Sequence, residues 1–309
     1  MKILITPRSF GKYEDEPREK LRKAGFEIIE NETGGILTKE QMIEQCKDVD
    51  AIIVGVDPLD KDVLESANCL KVISKYGVGV DNIDVDYAAS KGIEVTITRG
   101  ANSAAVADYA FALLLGCARR LVEIDQGCRE GDWSKKVSLD VYGKKIGILG
   151  LGAIGRGVAE RAHGFGMEIY GYDVYRDDAY LEKNQIHFSD IDTICRECDF
   201  ISLHLPYTAE THHLIGVDRL QMMKKTAILV NTARGGLVDE AALFEALTNG
   251  EISGAGLDVF EHEPAKDSPL LKLDHVIAGS HCSASSRGAV SAMSMMAVDN
   301  VLSILNGKE

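Results

Sequence analysis

The 309-residue chain is short of basic residues and has no long hydrophobic run. Lys and Arg together number 34 against 48 Asp and Glu, which gives a formal net charge of −14. Nonspecific nucleic-acid binding needs a basic surface, and so does docking on an anionic membrane, so neither partner is expected. The richest apolar stretch, at 110–118, is far shorter than the roughly 20 residues that span a bilayer. An anionic small molecule is still compatible with this charge, because one pocket can be basic inside an acidic protein.

The chain also lacks an even set of cysteines and a signal-like start. Seven cysteines do not suit a disulfide framework and fit a reducing compartment. Residues 1–7 are too short for a signal peptide and predict a first strand, so we expect a cytoplasmic protein. Cys195 and Cys198 have CxxC spacing, but no second pair or nearby His supports a metal site. We interpret them as two thiols on one helix, and we predict no metal.

Strand and helix patterns alternate along the chain, whose length suggests about two domains. In the first series, short apolar runs predict strands at 3–6, 27–30, 51–54, 71–74 and 93–97. Amphipathic stretches between them predict helices at 14–24, 39–46, 60–67 and 85–91. This alternation is typical of βαβ units and a parallel sheet, so residues 1–97 are expected to form a first α/β layer.

A second series follows without a low-complexity linker. An Ala-rich helix at 102–115 is apolar on most sides, which predicts burial between domains or subunits. Further buried parallel strands are expected at 145–149, 168–172, 200–203, 227–231, 254–257 and 276–278. The final helical pattern, at 285–305, has no strand after it and could return to the first domain.

A glycine motif carries the most specific functional signal. Gly150, Gly152 and Gly155 form a GxGxxG pattern between a predicted strand and a predicted helix. The first glycine permits a tight turn, the second lets a pyrophosphate approach the backbone, and the third lets helix and strand pack closely. The helix start would present unpaired N–H groups to the phosphates. This context predicts a dinucleotide site.

An acidic residue ends the next predicted strand. Asp173 stands 18 residues beyond Gly155, close to the spacing of about 20 expected for a ribose-binding carboxylate. Such a carboxylate would bind the ribose hydroxyls and repel a 2′-phosphate, which favours NAD over NADP. Arg176 lies nearby and could soften that discrimination.

Three chemically capable side chains follow three consecutive predicted strands. Arg234 lies beside two glycines after one strand, Glu263 follows the next, and His281 follows the last. Open α/β sheets bind ligands at the carboxyl ends of their strands, and the planar fork of Arg suits a carboxylate. Each residue alone could be an ordinary surface or structural group. Their succession after a dinucleotide motif makes a catalytic set the better interpretation.

These motifs together resemble the D-isomer-specific 2-hydroxyacid dehydrogenase family, and in particular its phosphoglycerate dehydrogenase-like members. The segment 75–84 is similar to the family's substrate loop, and 150–155 with Asp173 to its NAD site. The segment 203–206 is similar to its cofactor-side loop, and 211–215 is similar to the segment that follows that loop. Arg234, Glu263 and His281 stand at the positions of its catalytic Arg, Glu and His.

The resemblance implies an α/β fold in which a Rossmann NAD-binding domain is inserted into a flavodoxin-like substrate domain. The inserted domain would comprise 98–285, and the substrate domain 1–97 with 286–309. A homodimer would form through the helix at 102–121 and its neighbours. The chain lacks the further regulatory domain of longer phosphoglycerate dehydrogenases, so feedback inhibition by serine is not expected.

The resemblance also implies roles for individual residues. The catalytic residues would be Arg234, Glu263 and His281. The NAD-binding residues would be Gly150, Gly152, Ala153, Ile154, Gly155, Asp173, Leu205, Pro206, Thr232, Ala233, Arg234, Asp258, His281, Ser283 and Ala284. The substrate-binding residues would be Lys75, Val78, Gly79, Arg234 and His281.

The expected substrate pair is D-3-phosphoglycerate and 3-phosphohydroxypyruvate, because Lys75 and Arg8 could face a phosphate. The same chemistry on glyoxylate or hydroxypyruvate is the first alternative, and an NADH-sensing corepressor of the same fold is the second. The chain departs from the family at Gly279 and Ser280, where Thr-Pro or Ser-Pro often precedes the catalytic His. It also has Asp108 where Glu is common.

Overall fold

The structure, a computed structural model, describes residues 1–307 and has two compact units. One unit comprises Met1–Asn102 together with the C-terminal segment that begins at Ala284. The other comprises Ser103–Ser283. The sequence analysis placed the corresponding boundaries at 97–98 and 285–286.

The first unit contains a five-stranded parallel sheet in the order β2-β1-β3-β4-β5. Its strands are β1 (Lys2–Ile5), β2 (Glu27–Glu30), β3 (Ala51–Val54), β4 (Val72–Lys75) and β5 (Glu94–Ile97). The central strands β3 and β4 are buried at every position, whereas the edge strands β2 and β5 expose their glutamates. This order is that of a flavodoxin-like sheet, in which ligands bind at the carboxyl ends of the strands.

Four helices connect these strands, and side-chain caps define the start of three of them. They are α1 (Glu16–Lys23), α2 (Lys39–Cys46), α3 (Lys61–Ser66) and α4 (Val85–Ser90). The side chains of Thr38, Asp60 and Asp84 accept hydrogen bonds from backbone N–H groups in the first turns of α2, α3 and α4. Such caps satisfy donors that a helix start would otherwise leave unpaired, so they fix where each helix begins.

The second unit contains a seven-stranded parallel sheet in the order β12-β11-β10-β9-β6-β7-β8. Its strands are β6 (Lys145–Leu149), β7 (Glu168–Tyr172), β8 (Ile186–Phe188), β9 (Phe200–Leu203), β10 (Ile228–Asn231), β11 (Gly254–Leu257) and β12 (Val276–Ala278). The direction of strand order reverses between β6 and β9, which is the topological switch point of a Rossmann fold. The expected fold class, a Rossmann domain with a flavodoxin-like domain, is confirmed.

The helices of this unit divide into a buried one and more exposed ones. They are α5 (Ser103–Ala118), α6 (Leu121–Glu130), α7 (Ala153–Gly164), α8 (Asp178–Lys183), α9 (Ile191–Glu197), α10 (Val217–Met222) and α11 (Glu240–Thr248). Half of α5 is buried, and it packs against α7, β10 and β11 within the unit. By contrast, α6 has no buried residue. Cys195 lies on α9 and Cys198 directly after it, and both thiols are free and buried.

The last helix, α12 (Arg287–Asn306), belongs to the first unit. By length and composition it is apolar enough to cross a membrane. Its buried residues include Val290, Met293, Ala297, Val298 and Val301, and it packs against α1 and the strands β3, β4 and β5. The packing of this helix in the core of its unit accounts for its apolar character.

Candidate active site

The carboxyl ends of three neighbouring strands carry the chemistry of the second unit. β10, β11 and β12 are paired in register, so that Asn231 lies beside Leu257 and Leu257 beside Ala278. Arg234 follows the first of these strand ends, Asp258 the second and His281 the third. The parallel register therefore gathers at one edge of the sheet groups that are far apart in sequence.

His281 and Glu263 form an ion pair at this edge. Nδ1 of His281 lies 2.9 Å from Oε2 of Glu263. Desolvation acts to raise the pKa of Glu263, but the net pKa lies below its usual value. The lowering contributions come from the hydrogen bond and charge of His281, the Phe260 N–H and the charge of Arg234. The side chains of His281 and Glu263 are 40% and 37% exposed, so a reactant can reach them.

Arg234 is held by a turn that Asn231 builds. The Asn231 side chain accepts from the Ala233 N–H at 3.0 Å and donates to the Arg234 carbonyl at 2.8 Å. A 3₁₀ turn at Gly235–Leu237 begins immediately afterwards. Because Arg234 contributes to the lowered pKa of Glu263, its guanidinium belongs to the same electrostatic site. The structure thus brings together the three residues predicted to be catalytic.

Asp258 lies beneath this site and is fully buried. Its carboxylate accepts hydrogen bonds from the backbone N–H groups of Cys282, at 2.9 Å, and Ser283, at 2.8 Å. Its carbonyl accepts from the N–H of His281 at 2.8 Å. The sequence analysis assigned Asp258 and Ser283 to the cofactor, and in the structure they also join the β11 and β12 ends.

The glycine motif forms a turn and a helix start at the end of β6. Gly150 has a φ of 103°, which favours glycine, and a Cβ there would lie 2.6 Å from the His204 carbonyl. A Cβ at Gly155 would lie 1.9 Å from the Gly150 oxygen. Gly152 caps the N-terminus of α7 and has open space where a Cβ would stand, and Ala153 and Ile154 form the first turn. This geometry leaves room for a phosphate against backbone N–H groups.

Asp173 lies against the same turn. Its Oδ2 accepts from the Leu151 N–H at 2.7 Å, and its Oδ1 accepts from the Tyr175 N–H at 3.1 Å. The guanidinium of Arg176 is paired with Asp178 at 2.6 Å and lies over the Phe188 ring. The carboxylate is therefore placed beside the glycine turn, and the arginine that could attract a 2′-phosphate has an acidic partner.

Two buried polar atoms at the strand ends have no hydrogen-bond partner among residues 1–307. They are Oγ1 of Thr232, after β10, and Nδ1 of His204, after β9. A buried polar group without a partner is costly, so such atoms at a predicted ligand site suit a bound polar molecule. Leu205 is buried and Pro206 exposed directly beyond His204. The open helix start, the orphaned Thr232 hydroxyl and the position of Asp173 fit a dinucleotide.

The predicted substrate residues of the first unit follow β4. Lys75 is buried, and its amine donates to the Gly55 carbonyl and, at 2.8 Å, to the Asn82 side chain. Val78 is exposed and Gly79 half-buried. Lys75 is therefore part of a network at the strand ends and is not a solvated surface cation. The predicted NAD ligand Ala284 begins the C-terminal segment of this unit.

Several residues at the site were not singled out from sequence. They include His204, whose desolvated ring has a pKa lowered to about 3 and whose Nε2 lies 2.8 Å from the Ser202 hydroxyl. Tyr109 on α5 and Cys282 also belong to this group, with Cys282 Sγ lying 3.3 Å from the Tyr109 hydroxyl. The sequence analysis matched the segment 203–206, which contains His204, to the cofactor-side loop but gave the histidine no role of its own, and Cys282 directly follows His281.

Comparison with known proteins shows which family the chain belongs to. Residues 111–283 match the family "D-isomer specific 2-hydroxyacid dehydrogenase, NAD binding domain". A glyoxylate reductase of Korarchaeum cryptofilum is 45% identical over 88% of this chain and 84% of its own length. A D-3-phosphoglycerate dehydrogenase of Methanocaldococcus jannaschii is 42% identical over the whole chain, which spans 58% of that relative.

A solved structure agrees with these relatives. The D-lactate dehydrogenase of Aquifex aeolicus, determined with NAD and lactic acid, superposes with a TM-score of 0.86 at 31% identity. The superposition covers 99% of this chain and 96% of that protein. Strand order, strand-end chemistry and these similarities agree. The chain therefore belongs to the D-isomer-specific 2-hydroxyacid dehydrogenases and is an oxidoreductase whose cofactor is NAD.

Proposed function

We propose that the protein interconverts D-3-phosphoglycerate and 3-phosphohydroxypyruvate, with Arg234, Glu263 and His281 as its catalytic residues. The observation that carries the catalytic assignment is the 2.9 Å pair between His281 Nδ1 and Glu263 Oε2. The His281 side chain is 40% exposed, so its other ring nitrogen, Nε2, can be reached by a substrate. One imidazole nitrogen is thus oriented by a carboxylate, and the other is available to a substrate.

His281 moves the proton of the reaction. In reduction its Nε2 gives a proton to the carbonyl oxygen of the 2-oxoacid, and in oxidation the same nitrogen takes the proton of the hydroxyl. Glu263 fixes the tautomer of the ring and stabilises its charged form. When bound, NADH would supply the hydride in reduction and NAD⁺ would accept it in oxidation. The lowered pKa of Glu263 keeps this carboxylate ionised throughout the neutral range.

Arg234 binds the reacting end of the substrate. Its planar fork matches a carboxylate, and its positive charge polarises the neighbouring carbonyl. The turn built by Asn231 fixes the Arg234 backbone, so the guanidinium starts from a defined position. The assignment of Val78 and Gly79 to the substrate stays a prediction from the sequence.

The remaining predicted residues bind NAD. Gly152, Ala153 and Ile154 present the α7 start to the pyrophosphate, while Asp173 accepts hydrogen bonds from the ribose hydroxyls. Leu205 and Pro206 border the adenosine. The residues assigned to the nicotinamide side are Thr232, Ala233, Arg234, Asp258, His281, Ser283 and Ala284. The unpartnered Thr232 hydroxyl is the strongest structural support for this part of the site.

The phosphorylated substrate is supported by two basic residues at strand ends of the first unit. Lys75 ends β4, and Arg8 follows β1 and is exposed. The match to a D-3-phosphoglycerate dehydrogenase, over the whole of this chain and 58% of that relative, supports the same substrate. We therefore assign Lys75 and Arg8 to the phosphate group.

A second candidate, reduction of glyoxylate or hydroxypyruvate, is favoured by a specific observation. The Lys75 amine already donates to Gly55 and Asn82, so binding a phosphate would add a partner to this network or rearrange it. A smaller substrate requires neither change. The glyoxylate reductase relative, 45% identical over 88% of the chain, supports this candidate.

One matched pair of substrates separates the two candidates. Hydroxypyruvate and 3-phosphohydroxypyruvate differ only by the phosphate, and NADH oxidation measures kcat/KM for each. The proposal requires the phosphorylated substrate to be preferred, and it requires Lys75→Ala to reduce that preference while kcat/KM for glyoxylate is unchanged. Equal or inverted preference in the wild-type protein establishes the second candidate. If no 2-oxoacid is reduced, the assignment of the catalytic residues fails.

We further propose a cytoplasmic homodimer. All seven cysteines are free, as expected in a reducing compartment. A set of large apolar side chains on and after α6 is more than half exposed, namely Leu121, Val122, Trp133, Val137 and Tyr142. Exposed apolar groups of this size are typical of an interaction surface. Light scattering should give about twice the 33.6 kDa mass of one chain, and a monomer mass at micromolar concentration rejects the dimer.

A further inference from the structure

The backbone of His281 is in an unusual conformation. Its φ of 55° lies in the left-handed region, which side chains with a Cβ rarely adopt. Such a conformation persists only where neighbouring contacts impose it, and it is common at active sites. The residue before it is Ser280, so no proline ring stiffens this loop from the N-terminal side. Other contacts must hold the imidazole in place.

Asp258 supplies these contacts with three acceptor atoms. Its carbonyl holds the N–H of His281, while Oδ1 and Oδ2 hold the N–H groups of Cys282 and Ser283. The backbone N–H groups of three successive residues are thus hydrogen-bonded to Asp258. The Asp258 carboxylate is completely buried, and backbone N–H groups are its main partners, so its position is closely defined.

Gly279 and Tyr109 complete the packing around this carboxylate. A Cβ at Gly279 would lie 2.2 Å from Oδ1 of Asp258 and 2.8 Å from the Tyr109 hydroxyl. The Tyr109 hydroxyl is also 3.3 Å from the thiol of Cys282. Burial, with the neighbouring thiol and carboxylate, raises the pKa of Tyr109, so the phenol stays neutral beside Asp258. Only glycine at 279 leaves space for this arrangement.

We propose that Asp258 is a positioning residue that sets the direction of the His281 imidazole. Gly279 provides the space for its carboxylate, and Tyr109 closes the far side. This assignment rests on the proposed catalytic role of His281. It adds to the expected cofactor role of Asp258. It also explains how His281 is held in place in a loop that has Gly279-Ser280, and no proline, before the histidine.

Gly279→Ala tests the proposal without touching a cofactor or substrate ligand. The added methyl displaces the carboxylate, and a shift of the imidazole by about 1 Å can cost on the order of 10²-fold in rate. We expect kcat to fall about 50-fold, on the same basis, with the Kd for NADH within about threefold of the wild type. The kcat for reduction should also begin to fall at a lower pH than in the wild type, because His281 has moved away from Glu263.

Gly164→Ala is the matched control. Gly164 lies at the end of α7 in the same unit, and a Cβ there would meet nothing within 4 Å. This variant should keep the wild-type kcat and pH profile. Equal kcat and pH profiles for Gly279→Ala and the wild type overturn the proposal, whereas an inactive wild-type protein overturns the proposed function instead.

Asp258→Asn keeps the test decisive if Gly279→Ala does not fold. The amide retains one acceptor and turns an N–H group toward a backbone N–H, so one loop contact is lost. Positioning predicts a fall in kcat at saturating NADH and the same pH shift, whatever the change in the Kd for NADH. A raised Kd with unchanged kcat assigns Asp258 to cofactor binding alone and overturns the proposal.

Discussion

The two parallel sheets of the molecule treat the carboxyl ends of their strands differently. In the Rossmann unit these ends leave polar groups unsatisfied, among them the Thr232 hydroxyl and the open α7 start at Gly152. In the flavodoxin-like unit several strand-end side chains bond to protein partners, although the buried Ser74 hydroxyl on β4 has none among residues 1–307. The Thr6 hydroxyl donates to Asp57, and the Lys75 amine donates to Gly55 and Asn82.

Two sheets of the same parallel architecture therefore differ in what their strand ends do, since one offers groups to a ligand and the other uses them mainly to stabilise its own unit. Both sheets have strand order that reverses at a switch point, where ligands usually bind. Topology alone therefore does not decide which of the two sheets binds a ligand. Groups left without protein partners are directly available to a ligand, whereas groups already bonded to each other, such as Lys75, stabilise their own unit and must add or exchange a partner to bind one.

The largest effect is expected where the Rossmann unit exposes its reactive group. His281→Ala removes the proton donor and should lower kcat about 10³-fold, since general acid catalysis contributes roughly 10²–10⁴. NADH binding, measured by fluorescence titration, should persist. His163→Ala, at an exposed position on α7, is the control and should be fully active. Unchanged turnover in His281→Ala removes the residue from the mechanism.

Glu263→Gln should have the next largest effect and should show in the pH profile. The wild-type pKa of Glu263 is lowered, so the carboxylate stays charged as the pH falls and supports the charged imidazole. Glutamine removes that charge and with it the support for the charged imidazole. The alkaline limb of the reductive kcat profile should therefore move to lower pH, with kcat reduced roughly 10²-fold. Glu245→Gln, at an exposed position, should leave both quantities unchanged; superimposable profiles for Glu263→Gln and the wild type refute its role.

Asp57→Ala tests the self-stabilised strand ends. Asp57 is buried and accepts from the Thr6 hydroxyl and from the Leu37 N–H at 2.8 Å. Leaving two buried donors without a partner should lower the free energy of unfolding by about 2 kcal/mol. Urea denaturation followed by circular dichroism measures the change. The exposed Asp48→Ala should unfold like the wild type, and an equally stable Asp57→Ala would mean that these bonds contribute nothing.

Asp173→Ala should have the smallest effect, confined to cofactor choice. Losing the ribose contact should reduce the ratio of kcat/KM for NADH over NADPH about tenfold, which corresponds to about 1.4 kcal/mol. Asp267→Ala, on an exposed segment of the same unit, is the control. An unaltered ratio in Asp173→Ala would show that the carboxylate serves only its hydrogen bonds to Leu151 and Tyr175.

Much of the fold could be predicted from local pattern, and the errors have physical causes. The strands at 51–54, 200–203 and 254–257 have the predicted bounds, because continuous apolar runs mark strands buried on both faces. The edge strand β8 was missed, since it has three residues and an exposed His187 in the middle. Helix α6 was missed although its sequence is amphipathic, and in the structure it buries no residue and leaves Leu121 and Val122 exposed.

The candidate site was predictable where strand order alone determines proximity. Arg234, Glu263 and His281 follow successive strands of a parallel sheet, so their convergence needs no knowledge of loop structure. The contacts of Lys75 could not be predicted, because they depend on the loops that carry Gly55 and Asn82. The place of Tyr109 beside Asp258 depends on how α5 packs in the unit, and helical periodicity does not specify that partner.

The contact between Gly279 and Tyr109 has a consequence for the sequences of relatives. The hydroxyl of Tyr109 lies 2.8 Å from where a Cβ at position 279 would stand, so the two positions share one volume. A relative with a side chain at the position of Gly279 must therefore give up the tyrosine hydroxyl or displace the helix that carries it. The two positions should accordingly vary together, although they are 170 residues apart in the chain.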